Sequence, residues 1–198
     1  MKSMAFKGAL ALMIFACFLF GKNEAYTDVV KSLYIDESSS KVIGRLLPTN
    51  AVSIESVKND RVKLTITGYV NPSVANGMYG SDAQRVIAAS GSKTANIEFK
   101  ILQKGKSGKW DKAQVVAYAS KDNFTNELKP MLVKAEQIYN ENCGICHVLP
   151  EPSHSKANQW PGLLQSMLSR TAIEKNDEWL VIQYLQKHSE DVKLKEIK

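Results

Sequence analysis

The chain has 198 residues, 44% of them hydrophobic, with 26 Lys/Arg against 20 Asp/Glu for a formal charge of +6. That length and apolar share support one large domain or two small ones with real cores. Its three cysteines are too few for a disulfide framework. No stripe of clustered Arg with interleaved aromatics is present, so nucleic acid is not an expected partner.

Residues 1–25 read "MKSMAFKGALALMIFACFLFGKNEA". Lys2 and Lys7 form a short basic region, and Gly8 to Phe20 is an unbroken apolar or small run. The run is short for a membrane span, which needs about 20 apolar residues, and has the length of a signal-peptide core. Asn23-Glu24-Ala25 supplies a cleavage point, and with no Arg-Arg pair the general secretory route is expected. The mature chain is then periplasmic, an uncleaved N-terminal anchor being the alternative. The charge left after residue 25 is uneven, +5 over 26–125 and −1 over 126–198.

From residue 26 to about 122 the pattern is β. "SSSKVIGRLLPTNAVSIESVKNDRVKLTITGYV" (38–70) holds several β-branched runs, punctuated at Pro48-Thr49-Asn50 and Asn59-Asp60. "NIEFKILQ" (96–103) alternates, with Ile97, Phe99 and Ile101 on one face. "AQVVAYAS" (113–120) reads as the return strand of a hairpin whose tip carries Lys104, Lys106 and Lys109. That tip is read as a solvated turn, with electrostatic docking as the alternative.

Residues 123–198 read as helical. One helix is expected over about 130–142, with Met131, Ala135 and Ile138 on its apolar face beside Leu132 and Tyr139. A second is expected over 157–170, with Pro161 in its first turn and Leu163, Leu164, Met167 and Leu168 on its apolar face. A third over 176–190 opens on an Asn/Asp cap and buries Trp179, Leu180, Val181, Ile182, Tyr184 and Leu185.

Between the first two helices lies "NENCGICHVLPEP" (141–153). Cys143 and Cys146 followed by His147 fit three chemistries: a redox disulfide, part of a zinc site, or a covalently held haem. Zinc would need two further ligands from His147, His154 or His188, and the adjacent Cys146-His147 pair suits a tetrahedral site badly. A thioredoxin-type pair should follow a strand and open a helix, whereas helical periodicity precedes this one. Haem attachment accounts for every residue. The two thiols add to the haem vinyl groups, and His147 becomes the proximal iron ligand. A ligating imidazole donates its other N–H to a fixed acceptor, here a carbonyl of Leu149 or Pro150. For the sixth ligand the candidates are Met167, His154, His188, Met131 and Met78. Met131 belongs to a packing face, Met78 to a glycine-rich stretch, and His188 is expected to be exposed. Met167 is favoured because its helix can cross the distal face. His154, seven residues after His147, is the alternative.

"AEQIYNENCGICH" and "WLVIQYLQKH" resemble the attachment and C-terminal helices of a class I-type monohaem cytochrome c. "CGICHVLPEPSHSKANQWPGLLQSMLSRT" and "YLQKHSED" resemble the C-terminal monohaem domain of trimethylamine N-oxide reductase-associated c-type cytochromes. "KVIGRLLPTNAVSIESVKNDRVKLTITGYV" resembles a bacterial SH3-like barrel. The resemblance implies an α+β fold: a small SH3-like β-barrel over 26–122, then an all-α class I-like cytochrome c domain over 123–198. It further implies one covalent haem c and a non-catalytic electron carrier. Its donor would be a membrane quinol-oxidising partner and its acceptor a periplasmic molybdenum reductase of N-oxides or S-oxides. The family's long form has a multihaem module upstream, whereas this chain has one Cys-x-x-Cys-His, so quinol oxidation itself is not expected of it. The other readings are a thiol–disulfide oxidoreductase and a haem-based ligand sensor.

Overall fold

The structure is a computed structural model that describes residues 24–192, apart from 75, 96, 146 and 147. The apolar leader therefore lies almost wholly outside the described residues, as do Cys146 and His147. Among the described residues, no helix is long and apolar enough to cross a membrane.

Nine strands make one sheet among the described residues: β1 (Glu24–Ala25), β2 (Lys31–Tyr34), β3 (Val42–Leu46), β4 (Val52–Lys58), β5 (Arg61–Val70), β6 (Gly77–Tyr79), β7 (Ile87–Gly91), β8 (Lys100–Gln103) and β9 (Asp111–Ser120). β5 shares one edge between β4 and β6 and pairs along its whole length with β9 on the other. β9 reaches β2 through Tyr34 and Tyr118. That contact closes β5, β6, β7, β3, β2 and β9 into a six-stranded barrel, with β1, β4 and β8 as extensions.

The inward faces explain why so small a barrel fills. On β5, Val62, Leu64 and Ile66 are buried, and across the ladder they face Ala119, Ala117 and Val115 of β9. Two of these pairs set a larger residue against an alanine, which suits a narrow interior. Asn59 and Asp60 form the two-residue turn between β4 and β5. Asn59 holds φ at +53°, the left-handed backbone such turns require.

The strand expected over 96–103 is shorter than its alternation suggests. Pairing with β9 runs only from Lys100, with an irregularity between Ile101 and Gln103, and all four β8 residues are exposed. Phe99 instead leaves the ladder and packs partly against the barrel core. The hairpin itself forms as expected. Of its tip lysines, Lys104 pairs with Asp111 at 2.7 Å and Lys109 with Asp82 at 2.9 Å.

Among the described residues, three α-helices follow the barrel: α1 (Lys129–Cys143), α2 (Trp160–Met167) and α3 (Glu178–Lys187), with short 3-10 turns at Pro152–His154 and Leu168–Arg170. Pro161 stands in the first turn of α2 as expected. Asp177 precedes α3 but makes no side-chain cap. It pairs instead with Lys134 of α1 at 3.2 Å, and Lys134 also reaches Asp28 at 3.1 Å.

The expected fold class, with an all-α class I-like cytochrome c domain after the barrel, is not what forms. Among the described residues the chain is mostly β, and the three α-helices are short. α3 shows the physical reason. Every residue from Leu180 to Gln186 is buried, and a helix buried all round needs partners on more than one side. Its apolar side packs with Met131, Leu132, Ala135 and Tyr139 of α1. Its polar side enters the end of the barrel. There the Gln183 side chain donates to the Ile87 carbonyl at 2.9 Å and accepts from Asn50 at 3.2 Å. Gln186 donates to the carbonyls of Arg85 and Ala157, and the Lys187 ammonium donates to the Thr49 carbonyl at 2.6 Å and its hydroxyl at 2.9 Å. Asn158 adds a bond from the Arg85 N–H at 2.8 Å, and Arg45 stacks on Trp179 at 4.9 Å.

Candidate functional site: a cleft at the end of the first helix

α1 delivers the thiol of Cys143 to its last position, and the chain turns away at Gly144, whose N–H bonds back to the Asn140 carbonyl. Cys143 is half-buried and lines a cleft of about 350 Å³. One wall comes from Tyr139 and Asn142 of α1, another from the Pro150–Ser155 segment, and the third from α2 and the turn after it.

Both favoured sixth-ligand candidates face this cleft: His154 from its 3-10 turn and Met167 from the last position of α2. The remaining candidates lie elsewhere. Met78 is fully buried in the barrel core and Met131 in the core between the helices. His188 is half-buried rather than exposed. Its ring stacks on Tyr184 at 4.5 Å, and its Nδ1 lies 2.7 Å from the Tyr184 carbonyl oxygen.

Two bonds fix the loop between Cys143 and His154. The Tyr139 hydroxyl donates to the Pro150 carbonyl at 2.8 Å, and the Trp160 indole N–H donates to the Pro152 carbonyl at 2.9 Å. The two rings meet edge to face, centroids 6.3 Å apart. The Pro150 carbonyl, one of the two acceptors expected for His147, is thus held in place with a second lone pair to offer. In the sequence pattern Tyr139 counts only as a packing residue. Its position four residues before Cys143, on the same helix face, is the signal that marks it for the cleft. Trp160 carried no comparable signal, because its partner Pro152 lies in a loop.

The electrostatics of the cleft are those of an apolar site. Burial pushes the Cys143 thiol up. Burial, followed by the charges of Cys143 and Glu151, pushes the Tyr139 hydroxyl up to about 12. A nucleophilic redox thiol needs the opposite: a helix N-terminus or a nearby cation to lower its pKa. Cys143 stands at a helix C-terminus, where the helix dipole is negative.

The residues lining the cleft fit a haem. Trp160, Leu163, Leu164 and Met167 form an apolar wall. Leu163 is 44% and Met167 41% exposed on that wall. A thiol stands at one end, and two soft or nitrogenous donors face inward. Cys146 and His147 lie outside the described residues.

Residues 21–124 match the family model described as the TorC third cytochrome c domain. The match spans the barrel and ends before α1 and the Cys143–His147 motif. The chain is 29% identical over 171 residues to the cytochrome c-type protein TorC of Escherichia coli O157:H7, covering 84% of this chain and 44% of that protein. It is 28% identical over 171 residues to TorC of Escherichia coli strain K12, with the same coverage. To the cytochrome c-type protein TorY of Haemophilus influenzae it is 24% identical over 152 residues, 75% of this chain and 41% of that protein. The chain thus spans less than half the length of the curated relatives it matches. No solved structure matches it. On the strength of the family match over more than half of its residues, the chain belongs to the TorC third cytochrome c domain family.

Proposed function

We propose that this chain is a monohaem c-type electron carrier of the periplasm. In this reading it takes single electrons from a membrane quinol-oxidising partner and passes them to a terminal molybdenum reductase of N-oxides or S-oxides. The observation that carries the reading is the convergence of Cys143, His154 and Met167 on one apolar cleft beside the Cys-x-x-Cys-His motif. Family membership and the relatives' printed description as c-type cytochromes support it.

Cys143 and Cys146 would hold the haem through thioethers, His147 would be the proximal ligand, and Met167 the distal one, with His154 as the alternative. The haem supplies reversible one-electron chemistry at iron. The protein's own residues do the rest. Tyr139 and Trp160 hold the loop carrying the Pro150 carbonyl and His154. Leu163, Leu164 and Trp160 would pack against the haem and keep water from it. The barrel fixes the helices through α3 and presents the basic half of the chain to a partner.

The test is covalent retention. After denaturation and acid–acetone extraction one haem should remain with the chain, and a pyridine haemochrome spectrum should identify its linkage. Joint replacement of Cys143 and Cys146 by Ser should abolish retention, and complete extraction from the unmutated holoprotein would refute the reading. Carbon monoxide binding by the reduced protein separates an electron carrier, which does not bind it, from a ligand sensor.

A further inference from the structure

The cleft changes character along its length. After Met167 the chain makes the 3-10 turn Leu168–Arg170, and Arg170 and Thr171 continue the lining where Leu163, Leu164 and Trp160 leave off. Among the described residues that line the cleft, Arg170 is the one with a permanent charge. Two of the chain's other arginines stack on rings, Arg45 on Trp179 and Arg61 on Tyr34. Arg170 is exposed, and its guanidinium makes no hydrogen bond, ion pair or ring contact with the described residues.

The backbone beneath Arg170 is nonetheless fixed. Thr171 donates its N–H and its hydroxyl to the Leu168 carbonyl, at 3.1 and 3.0 Å. Asn142, next to Cys143, accepts from the Ala172 N–H at 3.0 Å. That bond ties the segment after Arg170 to the end of α1. A free guanidinium on a fixed turn, at the edge of an otherwise apolar cleft, is a site for an anion that enters with an apolar body.

Haem c has that composition. Its ring is apolar, its vinyl groups are consumed by the thiols, and its two propionates are its charged substituents. The planar fork of an arginine matches a carboxylate in bidentate geometry, which a lysine does not. We propose that Arg170 binds a haem propionate and holds it ionised, a proposal that rests on the haem reading above.

The experiment is a pH titration of the midpoint potential by spectroelectrochemistry. Parent holoprotein, Arg170→Gln and Arg170→Lys are compared between pH 5 and 8, each first checked by pyridine haemochrome and far-ultraviolet circular dichroism. Removing the cation should lower the potential and make it steepen with pH, because the propionate then takes up a proton on reduction. Arg170→Lys should restore part of both effects. A potential and pH profile in Arg170→Gln that match the parent would overturn the proposal. So would a variant whose only change is the salt dependence of electron transfer to an acidic partner, which would make Arg170 a docking cation. A parent without thioether-linked haem would instead fail the underlying reading, and this proposal with it.

Discussion

Lys187 reaches from the end of α3 to the loop between β3 and β4, where the Thr49 carbonyl and hydroxyl accept from its ammonium. No carboxylate pairs with it among the described residues, and burial pushes its pKa down from the ordinary 10.5 to about 7. The unfolded chain keeps the proton up to about pH 10, whereas the folded chain gives it up from about pH 7. Through that window the unfolded state binds more protons, so stability rises with pH. The cost of burying the charge is complete below pH 7 and is relieved as pH climbs. For one proton with these two affinities, the gain between pH 7 and 9 is roughly 2 kcal/mol. This is an upper figure, because the two Thr49 oxygens favour the charged form and offset part of the burial. The scan should stop at pH 9, since Tyr139, pushed up to about 12 by burial, acts in the opposite sense above pH 10. Urea midpoints at pH 7, 8 and 9 should climb for the parent and climb far less for Lys187→Met, which keeps the side-chain length without the titration. Parallel slopes for the two proteins would refute the reasoning.

Other outcomes follow from the packing and the cleft. Gln183→Leu removes the bonds to the Asn50 amide and the Ile87 carbonyl but leaves Asn50 its bonds to the Leu47 and Pro48 carbonyls, and should cost about 1–3 kcal/mol in chemical denaturation, two net hydrogen bonds at about 0.5–1.5 kcal/mol each. Leu180→Ala, at a fully buried site shared by the three helices, should lose about 2–5 kcal/mol; a loss near zero in the same assay would mean that α3 is not packed as described. Magnetic circular dichroism of the ferric holoprotein should show a thioether charge-transfer band that vanishes in Met167→Ala; a bis-histidine spectrum lost only in His154→Ala would move the sixth ligand to His154. Stopped-flow reduction of the acceptor should keep its salt dependence in Lys104→Ala and Lys109→Ala, because Asp111 and Asp82 already neutralise those lysines.

The helices and their apolar faces were legible because local periodicity encodes them. Met131, Ala135, Leu164, Leu180 and Leu185 are buried as the pattern predicts. The Cys-x-x-Cys-His reading is local in sequence too, but Cys146 and His147 lie outside the described residues. The strand over 96–103 was over-read, because alternation at Ile97 and Phe99 says which faces could pair and not how far a neighbour's edge is open. The fold class failed on Gln183, Gln186 and Lys187. Polar residues on a helix read as its solvent side, yet here they satisfy carbonyls of the barrel about a hundred residues away. Arg170 and Trp160 escaped notice in the same way, because the cleft they line is assembled by tertiary contact.

The bond between Asn50 and Gln183 spans 133 positions of sequence. Contacts of that separation form late, because the chain must close a long loop before they reward it. The segment holding Cys143 to His147 lies inside that loop and precedes the helix that closes it. Until α3 seats against the barrel, the helix α1 that carries Cys143 lacks the partner its apolar face packs on. The barrel and the helices are thereby locked together last, by a helix that lies beyond every described strand in sequence.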